Sequence, residues 1–412
     1  MAADRSPWRV LGKALGFANR DQELWWLNTS PFFNNLLNQC GYEVHEQYHY
    51  LCFYHKHIVP VLGSFIRPGN SPDHLSCFTP EGYPFELSVN FQEDRSILRL
   101  GCGPVGPFAG TEHDPLNKFM TRELLAKAAQ IDPAIDLRWF DYFESQFILP
   151  TEQARTVSEH VVRHGRQTSQ LAFDLKNGGV VAKAYVFVLP KSIATGVPTV
   201  TLALNAIEGL ADADFGSSLA LLREYLLPGP DSDAPRSEVM LIGVDCVEPQ
   251  SSRLKLYLVN THLCLENMRA FWTLGGRLSD STTMKGLEIA ENLWNLLGLS
   301  DTVYETVDVD KLPLTFNYEL KEKEQAPKPQ LYLPVQGKGD EFVADALTEF
   351  FKFLDWQGFA CRYKQDLISN FPCRDLKGST AVQRWIAFSF TERTGVYLTI
   401  YFHAIGGDVG RL

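Results

Sequence analysis

Six short runs of this chain set charged, polar and aromatic side chains at every second position, with aliphatic residues between them. Lys183, Tyr185 and Phe187 alternate with Ala182, Ala184, Val186 and Val188, and Arg253, Lys255 and Tyr257 alternate with Leu254, Leu256 and Leu258. Glu86, Ser88, Asn90 and Gln92 oppose Phe85, Leu87, Val89 and Phe91; Arg99 and Gly101 oppose Leu98 and Leu100. Gln330 and Tyr332 oppose Leu331 and Leu333, while Tyr397, Thr399 and Tyr401 oppose Leu398, Ile400 and Phe402. Alternate side chains of an extended strand face opposite ways, so each run has one polar and one aliphatic face.

Arg99, Lys183, Arg253 and Lys255 gathered inside a closed sheet cannot form a dry core. An unpaired buried charge costs several kcal/mol, on the order of a whole protein's stability. An anionic guest is therefore expected. Four such groups suit a pyrophosphate of roughly three negative charges, which arginine grips through two parallel bonds. The tyrosine faces would stabilise a cation by about 0.5 to 2 kcal/mol each. Cations for an anion and π faces for a cation suit a bond that breaks heterolytically, as in an allylic pyrophosphate. Glu86 is the one carboxylate on these polar faces. It either accepts an indole N–H and assists proton removal, or pairs with one of the cations.

A competing motif lies at residues 45 to 55, "HEQYHYLCFYH". His-Glu-x-x-His with a third His six residues on is the metzincin pattern, except that Cys52 stands where a helix-breaking Gly is needed. Without that break the helix carries His55 about 9 Å further along the axis and to another face. The next carboxylate, Asp73, sits in a turn-like segment. Val44, Tyr48, Leu51, Cys52, Ile58, Val59 and Leu62 instead read as the apolar stripe of a packing helix, leaving His45 and His49 on its polar side. No metal site is expected.

The elements that must position the strands recur in order. Helical "DQELWWLNTSPFFNNLLNQCG" and "VHEQYHYLCFYHKHIVPVLG" precede the strand pair "PFELSVNF" and "SILRLGC". About five passes of helix, helix, strand, strand follow one another, the second hairpin marked by Asn-Gly-Gly at 177 to 179. Five hairpins make about ten antiparallel strands, and a sheet of that size tends to close. Helices before every hairpin need an apolar surface, so the aliphatic faces point outward and the polar faces inward. A sheet whose polar face meets water is the alternative for any one strand.

The bulk numbers fit. The 412 residues are 45% hydrophobic and 21% charged, with no run long and apolar enough to span a membrane. A net charge of -11 argues against nucleic-acid or anionic-membrane partners. The start lacks secretory character, which predicts a cytoplasmic location. Eight cysteines (40, 52, 77, 102, 246, 264, 361 and 373) contain no Cys-x-x-Cys pair and read as buried free thiols. Neither "LPGPDSDAPRS" nor "KEKEQAPKP" demands a domain boundary, so residues 1 to 412 read as one domain.

At these residues the sequence resembles the fungal dimethylallyltryptophan synthase family of indole prenyltransferases. The resemblance runs from about Asp21 to His403 through "DQELWW", "PFELS", "DPLN", "KAYVF", "SRLKLY", "WTLGGR", "PQLY" and "GVYLTIY". It implies an α+β fold, a ten-stranded antiparallel barrel ringed by helices and built of ααββ units. It also implies metal-independent transfer of a dimethylallyl group from dimethylallyl diphosphate to an indole, in secondary metabolism, with no cofactor. No Asp-Asp-x-x-Asp motif for a magnesium-held pyrophosphate is present.

By the resemblance, Arg99, Lys183, Arg253, Lys255 and Gln330 bind the diphosphate. Tyr185, Tyr257, Tyr332, Tyr397 and Tyr401 shield the allyl cation, and Glu86 contacts the indole nitrogen. Phe78, Gly101, Gln170, Met240, Thr315 and Trp385 fall in the acceptor pocket. Members acting on free tryptophan carry a Lys at the position of Gln170, an Arg at that of Met240 and a larger residue at that of Gly101. The three departures disfavour free tryptophan and favour a bulkier, uncharged indole such as a tryptophan-containing cyclic dipeptide or related alkaloid. Thr315 aligns with a position that gates prenyl length, and Trp385 either stacks on the acceptor or packs in the core. Partners are then two small molecules, a homodimer being left open. The rival class is a non-catalytic barrel that binds an isoprenoid or anionic lipid.

Overall fold

The structure, a computed structural model, describes residues 6–67, 72, 74–79, 81–161, 165–176, 178–227, 237–304, 313–371, 375–380 and 382–403. Asp73, Asn177, Cys373 and residues 228–236 lie outside the described residues.

Three helices open the chain: α1 (Pro7–Ala14), α2 (Arg20–Gln39) and α3 (Val44–Phe53). The first is not marked by the sequence pattern. The Asn19 side chain caps α2 by accepting from the Gln22 N–H at 2.9 Å. Strands β1 (Phe85–Gln92) and β2 (Arg95–Cys102) form the first hairpin. Helices α4 (Phe119–Ile131), α5 (Arg138–Phe147) and α6 (Thr151–His160) then lead to β3 (Ser169–Lys176) and β4 (Gly179–Phe187). The third unit runs α7 (Leu189–Thr195), α8 (Thr199–Glu208), α9 (Gly216–Leu226), β5 (Glu238–Asp245) and β6 (Leu254–Asn260). A two-stranded pair, β7 (His262–Leu263) and β8 (Thr302–Val303), brackets α10 (Leu265–Trp272) and α11 (Ser281–Leu296). Next come β9 (Leu314–Leu320), β10 (Lys328–Pro334), α12 (Asp340–Phe353), α13 (Gln357–Asn370), β11 (Gln383–Thr391) and β12 (Gly395–Phe402). The first, second and third units thus each carry a third helix that the repeat does not anticipate.

Ten of these strands close into one antiparallel barrel, β1-β12-β11-β10-β9-β6-β5-β4-β3-β2, in which the last strand pairs with the first. Closure leaves these strands no open edge. The aliphatic faces point outward as expected: Leu87, Leu100, Phe173, Ala184, Leu256, Phe316, Leu331 and Ile400 join the buried layer beneath the helices. A separate cluster of Leu241, Tyr257, Tyr332 and Ala387 lies inside.

The zinc-like stretch is corrected in detail. Helix α3 passes at Tyr54 into a π turn, Tyr54–Ile58, and then a 3-10 turn, Val59–Val61. Its buried face is Gln47, Tyr50, Leu51, Tyr54 and Ile58. Val44 and Cys52 are exposed, because the helix rolls to put the large Tyr50 and Tyr54 against its neighbours. His45 and His49 are exposed, whereas His55 hydrogen-bonds the Gly16 carbonyl at 3.1 Å and sets its ring edge-on to Trp26. Among the described residues no group of three or more His, Cys, Asp or Glu is arranged to hold a metal ion. All seven described cysteines are free, but Cys52 and Cys361 are exposed rather than buried.

Candidate active site

Each even-numbered barrel strand is antiparallel to its odd-numbered neighbours, so β2, β4, β6, β10 and β12 all run the same way. Along each of the last four, the group nearer the charged end comes first and a ring follows. Lys183 precedes Tyr185, Lys255 precedes Tyr257, Gln330 precedes Tyr332, and Tyr397 precedes Tyr401. A two-residue step is about 6.6 Å. The interior is therefore zoned, with cations toward one end and a layer of tyrosines next to them.

The cations are not waiting unpaired, which corrects the expectation that only a guest could satisfy them. Arg99 Nε donates to Asp174 Oδ1 at 2.5 Å. Lys183 donates to Asp245 and lies 3.5 Å from Asp174. Arg253, just before β6, reaches Asp245 at 2.7 Å and Glu319 at 3.1 Å; Lys255 is 3.5 Å from Glu319 and donates to Gln330 Oε1 at 2.9 Å. Asn317 Nδ2 donates to the same oxygen at 2.9 Å. Four cations face three carboxylates, leaving one positive charge in excess.

Burial opposes ionisation of Asp174 and Asp245, but the adjoining Arg99, Lys183 and Arg253 outweigh it and hold both carboxyls well below the ordinary range. Burial likewise opposes the charge on Lys183, yet its two carboxylates raise its pKa. Lys255 is different. Burial lowers its ammonium to about 8, since Glu319 compensates only in part and Arg253 and Lys183 repel it.

The tyrosines form a connected ladder: centroids of Tyr185 and Tyr257 are 5.8 Å apart, Tyr257 and Tyr332 5.8 Å, and Tyr332 and Tyr401 6.0 Å. Gly243 makes the first contact feasible, because a Cβ there would lie 2.9 Å from Tyr185 and 3.1 Å from Tyr257. Tyr397 lies apart from this ladder, near Arg99 and Arg253 at the charged end. Trp385 packs inside, edge-on to Tyr332 at 6.5 Å, and so is no outer-core tryptophan. Thr315 is buried opposite Tyr332.

Glu86 is buried across the barrel seam, its Oε2 3.2 Å from His403 Nε2. Burial pushes its carboxyl up to about 8, against the pull of Arg384 and Arg99. Sequence reasoning missed Arg384 and His403, as it missed Asp174, Asp245 and Glu319.

One pocket expectation changes. Gly101 does not leave open room, because the Phe78 ring occupies it: a Cβ at Gly101 would sit 3.0 Å from Phe78 Cε1. Gln170 lies within β3, opposite Tyr185, with its amide donating to Cys77 Sγ. Met240 sits in a β-bulge between Val239 and Leu241 and packs on the interior cluster.

A family model described as tryptophan dimethylallyltransferase matches residues 21–366. An indole diterpene prenyltransferase of Neosartorya fischeri, anaPT, is 52% identical over 406 residues, covering 98% of this chain and 93% of the relative. The crystal structure of AnaPT superposes with a TM-score of 0.90 at 51% identity, covering 97% of this chain and 98% of that one. NotF, solved with brevianamide F and DMSPP, superposes at 0.85 with 29% identity, covering 97% and 98%.

Proposed function

The chain belongs to the tryptophan dimethylallyltransferase family and is an indole prenyltransferase, and from that premise we propose how its own residues divide the work. Dimethylallyl diphosphate lies with its diphosphate on Arg99, Lys183, Arg253, Lys255 and Gln330 and its allyl group among Tyr185, Tyr257, Tyr332 and Tyr401. Tyr397 serves the charged end. The allylic C–O bond breaks with its electron pair leaving on pyrophosphate, and the indole ring supplies the pair for the new C–C bond. Glu86 accepts the indole N–H and takes the proton that the alkylated ring releases. No metal is required, since Arg99, Lys183, Arg253 and Lys255 exchange carboxylate contacts for diphosphate contacts when the donor binds. The zoning of cations beside a tyrosine ladder is the observation that carries this reading.

The chain acts as one cytoplasmic domain with two small molecules as its partners. Its acceptor is a tryptophan-containing cyclic dipeptide or a related indole alkaloid, because Gln170 and Met240 offer no charge to an amino acid's ammonium or carboxylate. The relative named as an indole diterpene prenyltransferase makes an indole diterpene the second reading. With dimethylallyl diphosphate, turnover on a tryptophan-containing cyclic dipeptide is expected to exceed that on free tryptophan by at least about tenfold; a preference for free tryptophan would overturn the assignment. Because Phe78 covers Gly101, Gly101→Ala should change the ratio of rates between acceptors while sparing donor binding.

Donor binding should also depend on pH. An ammonium that titrates near 8 in the empty site gains a diphosphate partner on binding, so its pKa rises and a proton is taken up. Affinity for the thiolodiphosphate analogue of the donor is expected to fall above pH 8, by up to about tenfold per pH unit. Lys255→Arg, which stays charged, should flatten that fall. Calorimetry in buffers of different ionisation enthalpy reads the proton directly, and pH-independent binding by the unaltered protein would exclude Lys255 as a diphosphate ligand.

A further inference from the structure

His403 follows the last strand and closes the barrel seam against Glu86, 317 positions earlier in the chain. Its backbone N–H donates to the Val382 carbonyl at 2.9 Å, which fixes the ring's origin, and its side chain is only 8% exposed. Nε2 faces Glu86 Oε2 at 3.2 Å, while the second Glu86 oxygen makes no hydrogen bond among the described residues.

Arg384 supplies the third part. Its Nη1 donates to the Phe78 carbonyl at 2.7 Å and lies 3.5 and 3.2 Å from the two nitrogens of His403. A point that near to both nitrogens in the ring plane would collide with a ring carbon, so the guanidinium sits over the ring face. There it leaves Nε2 to its in-plane partner and opposes a second proton on the imidazole.

We propose that His403 is a positioning residue for the prenyl transfer: as a neutral imidazole it donates Nε2–H to one oxygen of Glu86 and turns the other toward the indole N–H. This rests on the reading of Glu86 given above. During the reaction the proton from the alkylated ring forms its O–H bond on the free oxygen, while Oε2 keeps its donor. The charged and titratable groups facing Glu86 are Arg99 from β2, Arg384 from β11, Tyr401 from β12, Cys77 from the segment before β1, and His403 itself. Burial and Arg384 hold His403 well below its ordinary pKa, outweighing the opposing Phe78 carbonyl, which agrees with a neutral imidazole.

The test is the acidic limb of kcat/KM against pH, measured with a dimethylallyl diphosphate donor and a cyclic-dipeptide acceptor. His403→Phe removes the donor, so the carboxylate is less stable and the limb should move up by about one to two pH units. His403→Gln keeps an N–H for Glu86 and should return the limb to within about half a unit. Binding of the thiolodiphosphate analogue should stay within about twofold in both variants, which also shows that each is folded. Should His403→Phe fail to bind the analogue, His403→Leu serves in its place: it also removes the donor and should move the limb up in the same way. Unshifted limbs in folded variants, or equal shifts with Phe and Gln, would overturn the proposal. Glu86→Gln separates the two layers. If it keeps both the limb and the turnover, the role of Glu86 fails; if it loses both while His403 variants behave like the unaltered protein, only this inference fails.

Discussion

Replacing Glu86 with glutamine is expected to lower kcat by about 100-fold or more while the thiolodiphosphate analogue binds within about twofold. The carboxylate makes no ion pair with the diphosphate cations, and Arg99, the one of them that pulls on it, keeps Asp174 as its partner, so losing its charge should leave the diphosphate end intact. The same substitution should raise stability, and the sign follows from the pKa. Burial lifts Glu86 to about 8, above its value in the unfolded chain, so the folded protein holds a proton that the unfolded one has lost. Stability from this group is complete below the unfolded pKa and disappears as pH rises through about 8. A neutral amide in its place has no such loss. A denaturant midpoint higher than that of the unaltered protein at about pH 8, with little difference near pH 4, is therefore the companion result. Unchanged turnover would remove Glu86 from the chemistry.

Much of the barrel is legible in the sequence because it depends on alternation. A strand that must present aliphatic groups to helices and polar groups to a ligand writes both faces into every second letter. Arg99, Lys183, Lys255, Tyr185, Tyr257, Tyr332 and Tyr401 accordingly stand where the pattern sets them. What escapes is whatever breaks alternation or arrives from outside it. Trp385 follows a bulge in β11 and Met240 sits in one in β5, so Arg384 and Trp385, or Met240 and Leu241, reach inward as neighbours. Phe78 comes from the segment before β1 and fills the space above Gly101. His403 meets Glu86 only because the last strand pairs with the first.

The three carboxylates escape for a different reason. Asp174, Asp245 and Glu319 stand within the last few positions of their strands, where a charge usually signals a turn. Their place opposite the cations exists only through register: Asp174 faces Arg99, Asp245 faces Lys183 and Glu319 faces Lys255. They convert the central electrostatic question. Four cations without partners would need a ligand merely to fold, whereas four cations and three carboxylates make a barrel that can stand empty and still carry a positive excess toward a diphosphate.

That account predicts opposite binding outcomes for two substitutions in one ion pair. Lys183→Met leaves Asp174 and Asp245 short of a shared cation in a buried setting, and should cost about 3 to 5 kcal/mol of stability. It also removes a diphosphate ligand, so affinity for the thiolodiphosphate analogue should fall about 100-fold or more. Asp245→Asn likewise breaks the pair, and also deprives Arg253 of its 2.7 Å partner, so the empty protein should again lose about 3 kcal/mol. Its cations, however, now lack a competitor. The analogue should bind more tightly, and should restore more stability to this variant than to the unaltered protein, because stabilisation by a ligand grows with the logarithm of its affinity for the folded state. Denaturation with and without the analogue separates the two. If Asp245→Asn loses binding as severely as Lys183→Met, the carboxylates act on the ligand itself, and the view that they hold the cations ready in the empty barrel is wrong.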